Sequence, residues 1–219
     1  MVQNVGTCRQ LPTFCTMPKV NRTHRDRVLG LLRRNGLLRP KELTELGIPR
    51  STLQRLLEEG AIERVARGLY ALPGRQLSEH QSLLEVAKQV PEGVICLLSA
   101  LAFHGVGTQL PHQVWIAIGS KARYPFIPQV ATRVVRFSEL ALQHGVEQHS
   151  IDGVKLRITT PAKTVADCFK YRNKVGLDVA VEALREGWRD RRFRLPDLME
   201  AARVCRVDKV IRPYVEALL

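Results

Sequence analysis

Residues 23–74 read THRDRVLGLLRRNGLLRPKELTELGIPRSTLQRLLEEGAIERVARGLYALPG, and the periodicity of this stretch decides the N-terminal fold. Apolar residues recur at helical spacing over residues 25–35, over a segment that starts at Pro40, and over another that starts at Pro49. Proline suits the first turn of a helix, where a missing N–H breaks no hydrogen bond. Two strand patterns follow at 62–65 and 69–71. Three helices followed by a two-stranded ribbon predict a winged helix-turn-helix.

The third of these helices contains the candidate recognition surface. Leu53, Leu56 and Leu57 share one face, so the polar residues are expected to point outward at the N-terminal end of the helix. These polar residues are Arg50, Ser51, Thr52, Gln54 and Arg55. In helix-turn-helix proteins this end meets base edges and phosphates. Arg64 and Arg67 are expected near the tip of the wing, where arginines reach phosphates or a narrow minor groove.

The charge of the chain favours a polyanionic partner. Residues 19–75 contain 13 Lys and Arg against 6 Asp and Glu, and the whole chain of 219 residues has a net charge of +13. A winged helix that mediates only protein contacts is the alternative, and this charge argues against it. No apolar run is long enough to span a membrane.

The cysteines and histidines give no sign of a metal site or a cofactor. The five cysteines include no CxxC pair, and we predict that Cys96, Cys168 and Cys205 are buried thiols in a cytoplasmic protein. Histidines at 104, 112, 144 and 149 fit no common zinc spacing. No segment has the pattern of a nucleophile elbow or a phosphate loop. The sequence therefore predicts neither metal nor cofactor, and no enzymatic activity.

The rest of the chain predicts an α+β fold with a small sheet covered by helices. Expected strands are 113–118, 132–137, 148–151 and 154–158; expected helices are 77–89, 94–103, one that starts at Pro161 after the N-cap Thr160, 176–188, 196–204 and 208–218. The predicted organisation is a disordered extension at 1–20, a winged helix-turn-helix at 21–75 and an α+β domain at 76–219. Met17 is a candidate natural start.

A second basic segment lies at residues 185–194, which read REGWRDRRFR. One interpretation is a solvated loop between helices; the other is a surface for nucleic acid or an acidic partner, because guanidinium groups bind phosphate and aromatic rings stack on bases. Both interpretations stay open from sequence. The candidate surface comprises Lys163, Lys170, Arg172, Arg185, Arg189, Arg191 and Arg192.

Three motifs in this order resemble the AbiEi antitoxins of type IV toxin-antitoxin systems, which act in abortive infection, a phage defence. The motifs are LLRRNGLLRPKELTELGIPRSTLQRLLEEGAIERVARGLYALPG at 31–74, LLSALAFHGVGTQLPHQVWIAIG at 97–119 and ITTPAKTVADCF at 158–169. His104 and Asp167 lie in these motifs, where helix-end packing, capping or salt bridging explains them without a functional role.

The resemblance implies a repressor that binds inverted repeats of double-stranded DNA upstream of its own operon. It also implies an antitoxin that counteracts a nucleotidyltransferase-like toxin, directly or indirectly. We expect a monomer in solution that binds DNA cooperatively. The DNA-binding role would fall on the polar residues of the third helix and on the two wing arginines.

Two other functions remain open on sequence grounds. A winged-helix regulator could sense a ligand through its second domain, because the apolar run at 94–103 could line a pocket, although a core helix also explains that run. A nuclease or other nucleic-acid enzyme is the alternative from a different class. A metal-dependent cleavage assay separates that enzyme from a regulator.

Overall fold

The computed structural model describes residues 23–66, 68–74 and 80–218. The predicted N-terminal extension, the wing-tip Arg67 and the expected helix start at Leu77 lie outside the described residues. The described N-terminal elements are α1 (His24–Asn35), α2 (Pro40–Glu45), α3 (Arg50–Glu58), β1 (Glu63–Ala66) and β2 (Leu69–Ala71). β1 and β2 pair antiparallel. We call these elements together the N-terminal module.

Local chemistry explains where the helices of the module begin and end. Thr23 and Asp26 form a capping box in which each side chain accepts a hydrogen bond from the backbone N–H of the other. Gly36, with a φ of 64°, follows the last residue of α1. Pro40 is the first residue of α2, as predicted, whereas Pro49 is the N-cap of α3 rather than its first residue.

A five-stranded mixed sheet organises the C-terminal part of the chain. Its strands are β3 (Val94–Ile95), β4 (Val114–Gly119), β5 (Thr132–Phe137), β6 (Val146–Ile151) and β7 (Val154–Thr159), in the spatial order β5-β4-β3-β7-β6. β6 and β7 form the predicted hairpin, with Asp152 and Gly153 in its turn. β4 and β5 are parallel neighbours, and β3 pairs antiparallel with β4 and parallel with β7.

The predicted helix over 94–103 is wrong in its first residues. Val94 and Ile95 form the central strand β3, and the helix begins only at Leu97. A continuous apolar run suits a buried strand as well as a buried helix, so periodicity could not separate the two.

Eight helices complete the described C-terminal part. They are α4 (Gln81–Gln89), α5 (Leu97–His104), α6 (Glu139–Gln143), α7 (Pro161–Lys170), α8 (Arg172–Val175), α9 (Leu177–Arg189), α10 (Leu195–Cys205) and α11 (Asp208–Glu216). The short helices α6 and α8 were not predicted. The Thr160 hydroxyl caps α7 and Pro161 is its first residue, as the sequence predicts. Within the described residues, no helix is long and apolar enough to cross a membrane.

The sheet is covered on both faces, and the N-terminal module belongs to one of the covers. On one face, β4 and β5 contribute to a core built with residues of α5, α7, α9, α10 and α11. On the other face, Leu37, Leu69 and Ala71 of the module share a core with Leu84 of α4 and Ile95 of β3. The α+β fold class with an N-terminal helix-turn-helix is therefore confirmed, and the module packs directly on the sheet.

Polar contacts reinforce this junction. The Arg39 guanidinium donates to the Lys88 carbonyl at 2.7 Å, and the Lys88 ammonium lies 2.5 Å from the Glu42 carboxylate. Gly153 touches α1 so closely that a Cβ there would lie 2.3 Å from the Asn35 Cα. The hairpin turn, α4 and the module therefore form one packed unit.

Candidate nucleic-acid interface

A four-residue turn sets the angle between α2 and α3. Gly47 in this turn has a φ of 67°, which glycine adopts without steric cost. Ile48 is buried, and its N–H donates to the Leu43 carbonyl at 2.9 Å. Arg27 of α1 donates to the Leu46 carbonyl at 3.3 Å. The turn is thus fixed by one buried side chain and by hydrogen bonds to α2 and α1.

The outward face of α3 is polar. Leu53 and Leu56 are buried against the module, whose core also contains Val28, Leu32 and Leu43. The exposed residues of the helix are Arg50, Ser51, Gln54, Arg55 and Glu58, followed by the C-cap Glu59. They recur at intervals of three and four, so they form one stripe along the solvent side. We call this stripe the α3 stripe.

Thr52 is a correction to the predicted set. It was expected to point outward, but it is only 6% exposed. The reason is geometric, because Thr52 lies one helical turn before the buried Leu56 and therefore shares its face. Thr52 therefore lies on the buried face of α3 and does not belong to the α3 stripe.

The α3 stripe changes character along its length. Arg50, Ser51, Gln54 and Arg55 lie within the first six of the nine residues of α3, and Glu58 and the C-cap Glu59 end the helix. Gln54 donates to Glu58 at 3.3 Å, and Arg55 lies 3.6 Å from Glu59. The Arg55 side chain is 61% exposed, and such surface pairs contribute only about 0–1 kcal/mol. A phosphate or base edge can therefore replace Glu59 as the partner of Arg55.

The wing is described only in part. Arg64 is exposed on β1 opposite Tyr70 of β2, and the pairing shifts between Arg64 and Ala66. Gly68, with a φ of 70°, follows the undescribed Arg67. The structure therefore places one of the two predicted wing arginines, at the solvent surface of the ribbon.

The second predicted surface divides into exposed and internally paired cations. Arg185, Arg189, Arg191 and Arg192 are exposed around the end of α9. Arg189 lies 2.9 Å from Asp190. Lys170 is exposed and donates to the Cys205 carbonyl at 3.1 Å, and the half-buried Arg172 donates to the Phe169 carbonyl at 2.9 Å. The arginines at the α9 end are thus the accessible members.

Lys163 is the second correction. It was predicted on this surface, but its side chain is completely buried, with the ammonium 2.5 Å from Asp167. The ammonium also lies 4.6 Å from the centre of the Phe137 ring, and the Cys205 thiol donates to Asp167 at 3.1 Å. Burial raises the pKa of Asp167, and the charge of Lys163 opposes that rise. The pair is an internal structural element.

The cysteines and His104 also have structural positions. Cys96, Cys168 and Cys205 are buried thiols, as predicted, and burial raises the pKa of Cys205 to about 12. The His104 Nε2 lies 2.7 Å from the Thr159 carbonyl oxygen, and burial lowers the pKa of this histidine. Among the described residues, no cluster of three or more His, Cys, Asp or Glu side chains could hold a metal ion.

Sequence reasoning missed one surface. Residues 120–131 connect β4 to β5 without a helix and expose Lys121, Arg123, Tyr124 and Phe126. The signal was available, because residues 93–138 contain no Asp or Glu.

The fold is similar to that of a solved protein. The crystal structure of the RV2827C protein from Mycobacterium tuberculosis superposes with a TM-score of 0.53 and 16% sequence identity, covering 81% of this chain and 70% of that one. At this identity the likeness concerns the fold alone. No curated protein matches the chain.

The N-terminal module gives the more specific match. The helices α2 and α3 and the strands β1 and β2 fall within one matched stretch of 48 residues. Residues 26–73 match the family described as "Transcriptional regulator, AbiEi antitoxin".

Proposed function

We propose that this protein is a DNA-binding transcriptional autorepressor and an antitoxin that counteracts a nucleotidyltransferase-like toxin of a type IV system. The observation that supports the DNA-binding role most strongly is the α3 stripe, which presents Arg50, Ser51, Gln54 and Arg55 to solvent before its two glutamates and above a buried apolar face. The match of residues 26–73 to transcriptional regulators supports the same role.

The first turn of α3 is suited to phosphate. Its N-cap Pro49 provides no side-chain hydrogen bond, and the turn contains no acidic residue. The backbone N–H groups at the helix start therefore keep their attraction for an anion, and Arg50 adds a positive charge beside them. Contacts of this kind fix the register of the protein on DNA.

Gln54 and Arg55 are suited to read bases. An arginine fork pairs with guanine and a glutamine amide with adenine in the major groove, and each good pair discriminates by about 1–3 kcal/mol. Glu58 and Glu59 repel phosphate, so the DNA would approach the residues of α3 that precede them. Arg64, with Arg67 from the sequence prediction, would contact the flanking backbone.

The DNA-binding proposal is tested by fluorescence-anisotropy titration of the full chain with duplex DNA from upstream of its gene and with random duplex. We expect Arg55→Ala to weaken upstream binding by about 10-fold or more and random binding far less. Arg212→Ala removes an exposed arginine of α11 and serves as the matched control. Equal losses on both duplexes, or an effect no larger than that of Arg212→Ala, would refute base reading by Arg55.

The binding mode is part of the proposal. We expect a monomer in solution that occupies inverted repeats cooperatively, one copy on each half-site, because two-fold symmetric sites match pairs of recognition helices. The titration above should then be steeper on a duplex with both repeats than on a duplex with one. Identical non-cooperative curves would contradict cooperative occupancy.

For the antitoxin role, we propose the exposed arginines at the end of α9 as the contact surface. Arg189 has Asp190 as a partner at 2.9 Å, whereas Arg185, Arg191 and Arg192 are exposed and have no ion pair with another described residue. They are therefore available to an acidic protein surface or to phosphate. Lys170 at the end of α7 and Arg172 at the start of α8 already donate to backbone carbonyls and are left out of this contact surface.

Co-expression with the adjacent toxin gene tests this role through growth. A triple variant, Arg185→Ala, Arg191→Ala and Arg192→Ala, should lose protection. The control of equal charge loss, Arg203→Ala, Lys209→Ala and Arg212→Ala, should keep it. Arg55→Ala should lose repression while still protecting the cells. Protection by the first triple variant would exclude the α9 end as the antitoxin surface.

A ligand-sensing regulator without antitoxin activity is the second candidate. An open cleft of about 580 Å³ beside α5 favours it, with Phe103, His104 and Leu110 among its lining residues. Filling the cleft through Ala102→Trp should then abolish a small-molecule response without weakening DNA binding. Growth protection in the co-expression assay favours the antitoxin.

A further inference from the structure

The segment between β4 and β5, residues 120–131, is held in place although it has no regular structure. We call it the crossover. Ile127 is buried in the core that α4, the sheet and the N-terminal module share. At its start, the Arg136 Nη1 lies 2.6 Å from the Ser120 carbonyl oxygen, 2.9 Å from that of Ala122 and 3.2 Å from that of Gly119. These contacts, together with Pro125 and Pro128, restrict the backbone of the crossover.

The crossover presents two aromatic rings to solvent. Tyr124 is 61% exposed and Phe126 is 80% exposed. Neither ring packs against another aromatic ring or a cation among the described residues. Exposed aromatic residues are unusual, because they give up the stabilisation that burial of the ring would provide. On an anchored segment they lose little further conformational entropy when they bind a ligand. They are therefore ready to stack on a ligand.

The charged residues nearest to these rings along the chain are all basic. Lys121 and Arg123 are exposed on the same segment, and Arg133 and Arg136 lie on the adjoining strand β5. The chain contains no Asp or Glu from residue 93 to residue 138. Basic residues interleaved with solvent-facing rings, in a stretch of sequence without acidic residues, fit a ligand that combines phosphates with flat bases.

We propose that the crossover binds an unpaired segment of RNA. Bases would stack on Tyr124 and Phe126, and the phosphates between them would contact Lys121 and Arg123. Duplex DNA offers no free base faces, whereas RNA loops and ends do, and aromatic side chains recognise them there. A protein partner would also use aromatic anchors, but the run without acidic residues favours a polyanion. This site is separate from the α3 stripe and does not depend on the DNA-binding proposal.

The test is an anisotropy titration of the full chain with a labelled single-stranded RNA of about 12 nucleotides, within the site sizes of aromatic platforms. Tyr124→Ala and Phe126→Ala should each weaken binding at least about fivefold, because one stacked base contributes about that much or more. Tyr124→Phe should bind like the unaltered protein. Leu140→Ala removes another exposed apolar side chain and should have no effect.

Charge and competition complete the experiment. Replacing Lys121 and Arg123 with Gln should reduce the salt slope of log K by about 1.4, since each phosphate contact to a single strand contributes about 0.7. Arg55→Ala should leave RNA binding unchanged. If Tyr124→Ala and Phe126→Ala bind the RNA as tightly as the unaltered protein, the proposal is overturned and a protein contact is favoured. The proposal would also be overturned if duplex RNA, or single-stranded DNA, competes for binding more strongly than the single-stranded RNA does.

Discussion

The helices α3 and α7 begin with similar sequences but lie in opposite environments. Each follows or starts with a proline, and each has a basic residue within its first turn, Arg50 in α3 and Lys163 in α7. Arg50 is exposed, and Lys163 is completely buried. The difference comes from what covers each helix: one face of α3 is open to solvent, whereas α7 is packed among the helices α5, α9 and α10.

This comparison shows how similar local sequences acquire different roles. A cation on the open helix keeps its hydration and is available to phosphate. A cation inside the protein needs a fixed counter-charge, and Asp167, one turn later on the same helix, supplies it. The positive residues of this chain therefore divide into those that can bind a partner and those that hold the fold.

The largest effect should follow from breaking the buried pair. Lys163→Met leaves the Asp167 carboxylate buried without its cation, so we expect a loss of about 3–5 kcal/mol in the free energy of unfolding. Urea denaturation measures it. Lys209→Met, at an exposed position of α11, should change stability by less than about 0.5 kcal/mol. If the two variants have equal stability, Lys163 does not have the role assigned here.

A second variant tests whether the N-terminal module is packed on the sheet. Gly153→Ala places a Cβ 2.3 Å from the Asn35 Cα at a φ of 72°, so steric overlap adds to backbone strain. We expect a loss of about 2–4 kcal/mol. Gly47→Ala, at a φ of 67° with open space around it, should show only the strain, about 1–2 kcal/mol. Thermal unfolding of both variants provides the comparison, and equal losses would mean that the hairpin turn and α1 are not in contact.

The wing should contribute a smaller and less specific effect. Arg64→Ala should weaken binding to the upstream duplex and to the random duplex by similar factors. It should also reduce the salt slope of log K by about 0.9 if one phosphate contact is lost. Titrations at several salt concentrations measure that slope. A loss confined to the upstream sequence would instead indicate that Arg64 reads a base or a groove shape.

The smallest effect concerns pH. Burial holds the pKa of His104 below its ordinary value of 6.5, and Arg192 and His149 lower it further while Glu147 and the Thr159 carbonyl oppose them. Below pH 6.5 the unfolded chain therefore binds a proton more readily than the folded one, so the stability from this residue is lost as the pH falls. His104→Gln should flatten the stability profile below pH 6.5. An unchanged slope would show that other groups cause the pH dependence of stability in this range.

The sequence predicted the elements in which periodicity and end signals agree. The helical spacing of Leu53 and Leu56, the prolines at 40 and 161, and the Asp152-Gly153 turn placed the module, α7 and the hairpin correctly. Thr52 was misplaced because its polarity outweighed its position on the helix. Lys163 was misplaced because a charged residue was assumed to be exposed, although Asp167 at i+4 offered a partner.

Other features depend on contacts that a single sequence does not contain. Val94 and Ile95 form a strand only because β4 and β7 flank them. The polar residues of α3 could be found from spacing, but the ion pair that Glu59 forms with Arg25 of α1 required coordinates. The crossover was missed because a segment without periodicity gives no secondary-structure signal, whereas its lack of acidic residues was visible.

Site-specific photocrosslinking tests most directly the claim that α3 faces DNA. A photoreactive amino acid replaces Gln54 in one variant and Leu140 in another, and both positions are exposed. Leu140 lies on α6, whose Ala141 belongs to the core on the opposite face of the sheet from the N-terminal module. On irradiation with the upstream duplex, we predict crosslinks from position 54 and none from position 140. Crosslinks from position 140 without any from position 54 would contradict the account.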